Sequence, residues 1–194
     1  MVKKTQVEML RDRGYDISKE AWLIDDFTNK KRFKKMTLNH RYYKIGSEES
    51  LYVLYIMSDD ELVIVMKDFQ KKMIKSAAGI VIANTDQLKK LSKTIYQEYF
   101  DPLKPIQLFN YDELTFNITK HIFSPRYEVI DKSLIIPSLV HANQLSVILA
   151  NDPAIKYYGW FPGQVIKVIN DNFYTDILND YQISYCIVST RILQ

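Results

Sequence analysis

The side chains that could do chemistry in this 194-residue chain are few and scattered. Its three histidines, His40, His121 and His141, stand far apart, with no cysteine or carboxylate at ligand spacing. A tetrahedral metal site draws on clustered donors and leaves a signature that this chain lacks. The one cysteine, Cys186, lies inside the apolar run ISYCIV and reads as a small buried hydrophobe. A single cysteine excludes an intrachain disulfide and fits reducing surroundings. None of G-x-x-x-x-G-K, G-x-G-x-x-G or G-x-S-x-G occurs, so phosphate-cradling and acyl-transfer loops have no support. A magnesium nuclease would need carboxylates gathered on adjacent strands. Asp59, Asp60 and Glu61 instead follow Ser58 at the start of an amphipathic run, where first-turn acids answer the helix dipole. The reading is therefore of no catalytic residues, no metal, no cofactor and no small-molecule substrate.

Two constellations bear on binding rather than reaction. Lys30, Lys31, Arg32, Lys34 and Lys35 crowd around Phe33, and no acid appears between Asp26 and Glu48. Such a run is either a solvated helix end or a face turned to phosphates; its sign alone leaves both open. Tyr157, Tyr158, Trp160 and Phe161 could stack bases. Their neighbours Lys156 and Lys167 are offset by Asp152 and Asp171, so a protein interface or a core suits them better. From Ile118 onward six basic residues meet six acidic ones, which leaves the whole net charge of +3 in the first part. The isoelectric point of 8.7 falls short of the value of about 9 typical of free-standing nucleic-acid domains. A modest contribution to a DNA contact fits that balance.

The aromatic group must be positioned by the stretch 143–169. Asp152 is placed to cap a helix that opens at Pro153, where no amide donor is needed, and Gly159 closes it. Ala154 to Tyr158 is barely more than a turn and must be held by packing. Phe161-Pro162-Gly163-Gln164 reads as a type II turn, with Val165 to Ile169 following as a strand. The result is a rigid presentation device, and such devices serve assembly.

The earlier chain alternates between strand and helix. Thr5 to Arg13 is helical with Gly14 closing it, and Ser18 caps a second helix carrying Ala21, Trp22, Ile24 and Phe27. Leu51 to Met57 is a strand. Leu62, Val65, Met66, Phe69 and Met73 recur at helical spacing, and Ala78 to Ala83 is an apolar strand of the kind buried on both faces of a parallel sheet. Thr85 caps a further helix with Leu88, Leu91 and Ile95 inward, and Pro105 to Phe109 is the next strand. After a hinge at 110–114, strands shorten and helical periodicity is confined to pieces such as Ile136 to His141. The expected class is α+β: a small three-layer α/β domain over 1–113, then a small mixed α/β domain over 114–194. No apolar run approaches the roughly 18 residues of a membrane span, and MVKKTQVEML meets Glu8, Arg11 and Asp12 before any apolar core, unlike a secretory signal. No membrane partner is expected.

Several of these residues also carry a resemblance. Asn143-Gln144-Leu145, Asp152-Pro153-Ala154, Tyr157-Tyr158-Gly159 and Gly163-Gln164-Val165-Ile166-Lys167, with LTFNITKHIFSP over Leu114 to Pro125, resemble the assembly domain that the fifth subunit of eukaryotic RNA polymerases shares with its archaeal counterpart. Val7 to Tyr15, VEMLRDRGY, resembles the opening helix of the eukaryotic form. The resemblance implies a non-catalytic subunit of a DNA-dependent RNA polymerase. Its C-terminal domain would dock on the largest subunit beside other polymerase subunits, through Asn143, Gln144, Leu145, Asp152, Pro153, Tyr157, Tyr158, Gly159, Gly163, Gln164, Val165 and Lys167. Its N-terminal domain would form a jaw near downstream double-stranded DNA, with Lys30, Lys31, Arg32, Lys34 and Lys35 proximal to it. Relatives carry two basic residues where Phe161-Pro162 stands here, a shorter glycine-bearing hairpin at Asn172 to Tyr181, and a Thr-Pro-Ser-Ala loop where Thr85 to Leu88 keeps only the threonine. With lysine outnumbering arginine 20 to 6, these departures suggest a fast-evolving copy. A large DNA virus is the expected source, acting in the virion or a cytoplasmic factory, with a divergent eukaryote and its nucleus as the alternative. Two rival classes remain: a free magnesium-dependent nuclease, and a transcription adaptor that kept the assembly domain for another partner.

Overall fold

The computed structural model describes residues 1–21, 39–57, 62–98, 105–131, 145–171 and 181–190. The chain forms two compact units, 1–116 and 117–194, each α+β.

The first unit is built on a four-stranded sheet in the order β1-β2-β3-β4: β1 (His40–Tyr43), β2 (Ser50–Tyr55), β3 (Ala78–Ala83) and β4 (Ile106–Asn110). β2, β3 and β4 are parallel, while β1 runs antiparallel on the edge. The parallel strands require crossovers, which α2 (Leu62–Met73) and α3 (Thr85–Glu98) supply. Both helices pack on one face, where Met66, Phe69, Met73 and Leu91 meet Leu54, Ile56, Val81 and Ala83. The intervening residues Val53, Tyr55, Ile80 and Ile82 point the other way and are also buried, so AGIVIA is covered on both sides. The second cover is α1 (Val2–Asp12), which buries Val7, Met9 and Leu10 completely. Gly79 permits the closeness of α2: a Cβ there would lie 2.7 Å from Phe69 Cζ and 2.8 Å from Met73 Sδ.

A buried polar network ties α1 to the sheet. Lys3 Nζ donates to Tyr42 Oη at 2.8 Å and pairs with Glu20 at 3.1 Å, while Tyr42 Oη donates to Glu20 Oε2. Burial pulls the Lys3 ammonium below its usual pKa, with Glu20 opposing, and pushes the Tyr42 and Tyr55 phenols far above theirs.

Several details differ from the sequence reading. β1 was not expected, because HRYY is four residues long with only Tyr42 deeply buried. Residues 18–21 form a turn, with Glu20 N donating to Ile17 O, and the rest of the expected second helix lies outside the described residues, as does Ser58. The cap of α3 is Asn84 rather than Thr85: Gln87 N donates to Asn84 Oδ1 and Asn84 N to Gln87 Oε1, a reciprocal box. Thr85 Oγ1 instead accepts from Asn110 Nδ2 at 2.7 Å. The segment read as a hinge is ordered into a 3-10 turn, Asp112–Leu114, with Leu114 buried in the first unit.

The second unit holds a mixed sheet in the order β5-β7-β8-β6, formed by β5 (Arg126–Ile130), β6 (Ser146–Leu149), β7 (Val165–Asp171) and β8 (Tyr181–Ser189). β7 is antiparallel to both neighbours, while β6 runs parallel to β8. The one-and-a-half-turn helix α4 (Pro153–Tyr158) packs Ile155 against Ile166, Val168 and Val188. Ile136 to His141 and 172–180 lie outside the described residues.

Candidate interface corner

Each bend of the 145–171 stretch is closed by a local device. Asp152 Oδ1 accepts from Ala154 N at 2.9 Å and from Ile155 N at 3.4 Å, and Pro153 occupies the first turn. Gly159 sits at φ 73°; its amide bonds Lys156 O, and Trp160 N bonds Ile155 O, the two bonds of a Schellman closure. Gly163, at φ 92°, fits the third position of the type II turn, which Gln164 N closes onto Phe161 O. The Gln164 side chain returns to accept from Phe161 N at 2.9 Å. Gly163 N donates to Val188 O and Val188 N to Gln164 O, so the turn is stitched to β8.

The aromatic residues fill the angle between these bends. Tyr158 and Trp160 stack at 4.5 Å between ring centroids, Tyr157 meets Tyr158 edge-on at 5.3 Å, and Tyr127 abuts Trp160 at 6.4 Å. Burial, then the charge of Asp152, raises the Tyr127 phenol above its usual pKa; burial likewise raises the Cys186 thiol. Asn117 anchors the arrangement from the far side. Its side chain donates to Tyr157 Oη at 2.8 Å and accepts from Thr119 N and Oγ1, capping the 3-10 turn Ile118–Lys120.

The expected interface residues divide by exposure. Tyr157 and Val165 are interior, at 3% and 1% exposure, and hold the corner's shape. Leu145, Asp152, Tyr158, Gly159, Gly163, Gln164 and Lys167 are half-buried, and Pro153 is exposed. Lys167 pairs with Glu128 across β5 and β7 at 3.4 Å. Asn143, Gln144, Lys30, Lys31, Arg32, Lys34 and Lys35 lie outside the described residues. Sequence reasoning grouped Phe161 with the aromatic cluster, and it is 61% exposed at the turn tip; the same reasoning missed Ile122 and Phe123, exposed at 65% and 64%. It also missed the anchoring role of Asn117, although a buried asparagine ahead of Ile-Thr-Lys is a capping signal. Among the described residues no three His, Cys, Asp or Glu side chains are grouped to hold a metal, and no helix is long and apolar enough to cross a membrane.

The profile of the family described as RNA polymerase Rpb5, C-terminal domain, matches residues 116–183. Similarity to whole proteins extends further. DNA-directed RNA polymerases IV and V subunit 5B of Arabidopsis thaliana is 23% identical over 206 residues, covering 97% of this chain and 88% of that protein. DNA-directed RNA polymerase subunit 5-like protein 1 of the same plant is 29% identical, covering 86% of each. DNA-directed RNA polymerases I, II, and III subunit rpabc1 of Dictyostelium discoideum is 25% identical, covering 87% of each. The chain is thus similar along most of its length to fifth subunits of RNA polymerases, and over residues 116–183 to the Rpb5 C-terminal domain. The Rpb5 C-terminal domain match opens one residue before the second compact unit and runs into β8, so it encloses the capped helix, the turn and the aromatic stack. These relatives are plant and amoebal proteins and lend no support to a viral source.

Proposed function

We propose that the chain is a non-catalytic subunit of a multisubunit DNA-dependent RNA polymerase that docks on the largest subunit through its C-terminal unit. The observation that carries this reading is a corner closed by four local devices inside the span that matches the Rpb5 C-terminal domain. A preformed corner loses little conformational entropy on docking. The docking surface runs over Leu145, Pro153, Tyr158, Gly159, Gly163, Gln164 and Lys167, and Asn143 and Gln144, outside the described residues, are proposed to contribute to the same contact. Asp152, Tyr157 and Val165 act by holding that surface in shape. The N-terminal unit serves as a jaw near downstream DNA, with the basic run Lys30, Lys31, Arg32, Lys34 and Lys35 supplying positive potential. The chain brings no catalytic residue, metal or cofactor of its own, and works where that polymerase works, the nucleus in a eukaryote.

Tagged full-length protein recovered from its native source tests the reading. Co-purification with the large polymerase subunits supports it, and recovery as a lone monomer contradicts it. Magnesium-dependent cleavage of DNA by the purified chain would instead favour the nuclease.

A further inference from the structure

The outward face of α2 carries charge that nothing nearby answers. Lys67, Lys71, Lys72 and Lys75 are exposed, and none forms an ion pair among the described residues. Lys67, Lys71 and Lys75 stand four apart and so fall in one row. α2 ends at Met73, but Ile74 N donates to Gln70 O and Lys75 N to Lys72 O, which carries the turn on to Lys75. At 1.5 Å per residue the row is about 12 Å long. Like charges at this spacing repel one another and weaken a helix. The helix dipole accounts for cations in the last turn, Lys71 and Lys72, but not for Lys67 a turn earlier.

The single acid of α2, Asp68, lies on its flank toward β2. Burial, then the charge of Asp68, raises the Tyr52 phenol above its usual pKa, and Arg41 opposes that rise. Lys72, four residues on from Asp68, shares the same flank, so four lysines still face one acid. Asp59, Asp60 and Glu61 precede α2 in the chain, whereas the row occupies its second half. α3, packed on the same face of the sheet, adds exposed Lys89 and Lys90 against Asp86. The other exposed residues of the α2 face are Gln70 and Ile74. They give a partner protein no apolar seam to bury and give single-stranded bases no ring to stack on. A duplex backbone asks only for cations along its length, and about 12 Å is the rise of roughly three to four base pairs.

We infer that the outward face of α2 is a sequence-independent contact for the phosphate backbone of duplex DNA, made by Lys67, Lys71 and Lys75. The inference rests on the jaw reading and adds to it a phosphate contact distinct from Lys30 to Lys35. Lysine suits the role, because its ammonium is a point charge on a flexible stem and follows a backbone without reading bases.

The test is fluorescence anisotropy with the full chain and a labelled duplex of about 20 base pairs over a salt series. The expected result is saturable binding that falls as salt rises. Lys67→Gln, Lys71→Gln and Lys75→Gln together should weaken it at least about tenfold at about 0.1 M salt and lower the log–log salt slope by about 2.7. Glutamine keeps helix propensity and removes the repulsion, so thermal stability should hold or rise. Equal affinity and slope in the triple variant would overturn the inference. So would no saturation by about 1 mM protein at about 50 mM salt, or tighter binding of the single strand. Tighter binding of a peptide of about ten glutamates than of the duplex would make the face a contact for an acidic protein and reject the phosphate reading. Changing Lys30, Lys31, Arg32, Lys34 and Lys35 to Gln separates the two basic groups: loss of binding there alone overturns the α2 contact and leaves the jaw near DNA. Co-purification with the polymerase tests the underlying reading independently of all these lysines.

Discussion

The two units reach a fixed shape by different means. In the first, the sheet is covered on both faces, and packing determines position: Ile80, Val81, Ile82 and Ala83 are all fully buried, and α2 approaches β3 across a glycine. In the second, a smaller core is supplemented by caps and turns, so the corner is specified by Asp152, Pro153, Gly159 and Gly163 more than by volume. A unit held by interior packing answers to changes in burial, whereas one held by local closures answers to backbone conformation.

The comparison breaks most sharply at alkaline pH. Burial raises the pKa of five described phenols in the first unit, Tyr15, Tyr42, Tyr52, Tyr55 and Tyr111, against Tyr127 and the Cys186 thiol in the second. Above their ordinary values of 10.0 and 9.0 the unfolded chain releases protons that the folded chain retains, so stability falls as pH rises. Lys3 works the other way: its lowered pKa lets stability rise toward 10.5, but it is one group against five. Far-UV circular dichroism should therefore change at lower pH than Trp160 fluorescence, recorded in a Trp22→Phe background. Coincident transitions, or the reverse order, would remove the distinction.

Next in size is Lys3→Ala, which leaves Glu20 with only the Tyr42 hydroxyl as a side-chain partner among the described residues and should cost about 3 kcal/mol in urea unfolding. Lys3→Met keeps the volume and should recover part of the loss if packing contributes. Gly79→Val should cost about 2 kcal/mol, because Phe69 and Met73 are themselves packed and have little room to give. The matching change in the second unit, Gly159→Val, strains a left-handed cap and should cost at least about 1 kcal/mol, read at Trp160. Unaltered stability there would mean that the closure does not fix the corner.

What could be read from the sequence follows the same division. AGIVIA was legible because a run without polar residues has few places to go except a doubly covered strand. The caps at Asp152 and Gly159 were legible because their geometry depends on neighbours in the chain. β1 was not, since an edge strand needs only one apolar face, and HRYY offers just Tyr42. Nor could a helix this short, followed at once by a turn, reveal which of the aromatic residues faces out: Tyr157 is interior and Phe161 protrudes, although they stand four apart. The Asn84 cap was missed because Asn84 and Thr85 are both good caps, and only the return bond from Gln87 decides between them.

The central claim is that the corner is a prebuilt docking element, and the most direct test is contact at its tip. A photo-crosslinking residue at position 161 of the tagged full chain, activated in its native source, should yield an adduct with the largest polymerase subunit. An uncrosslinked chain within intact transcribing complexes would contradict the account.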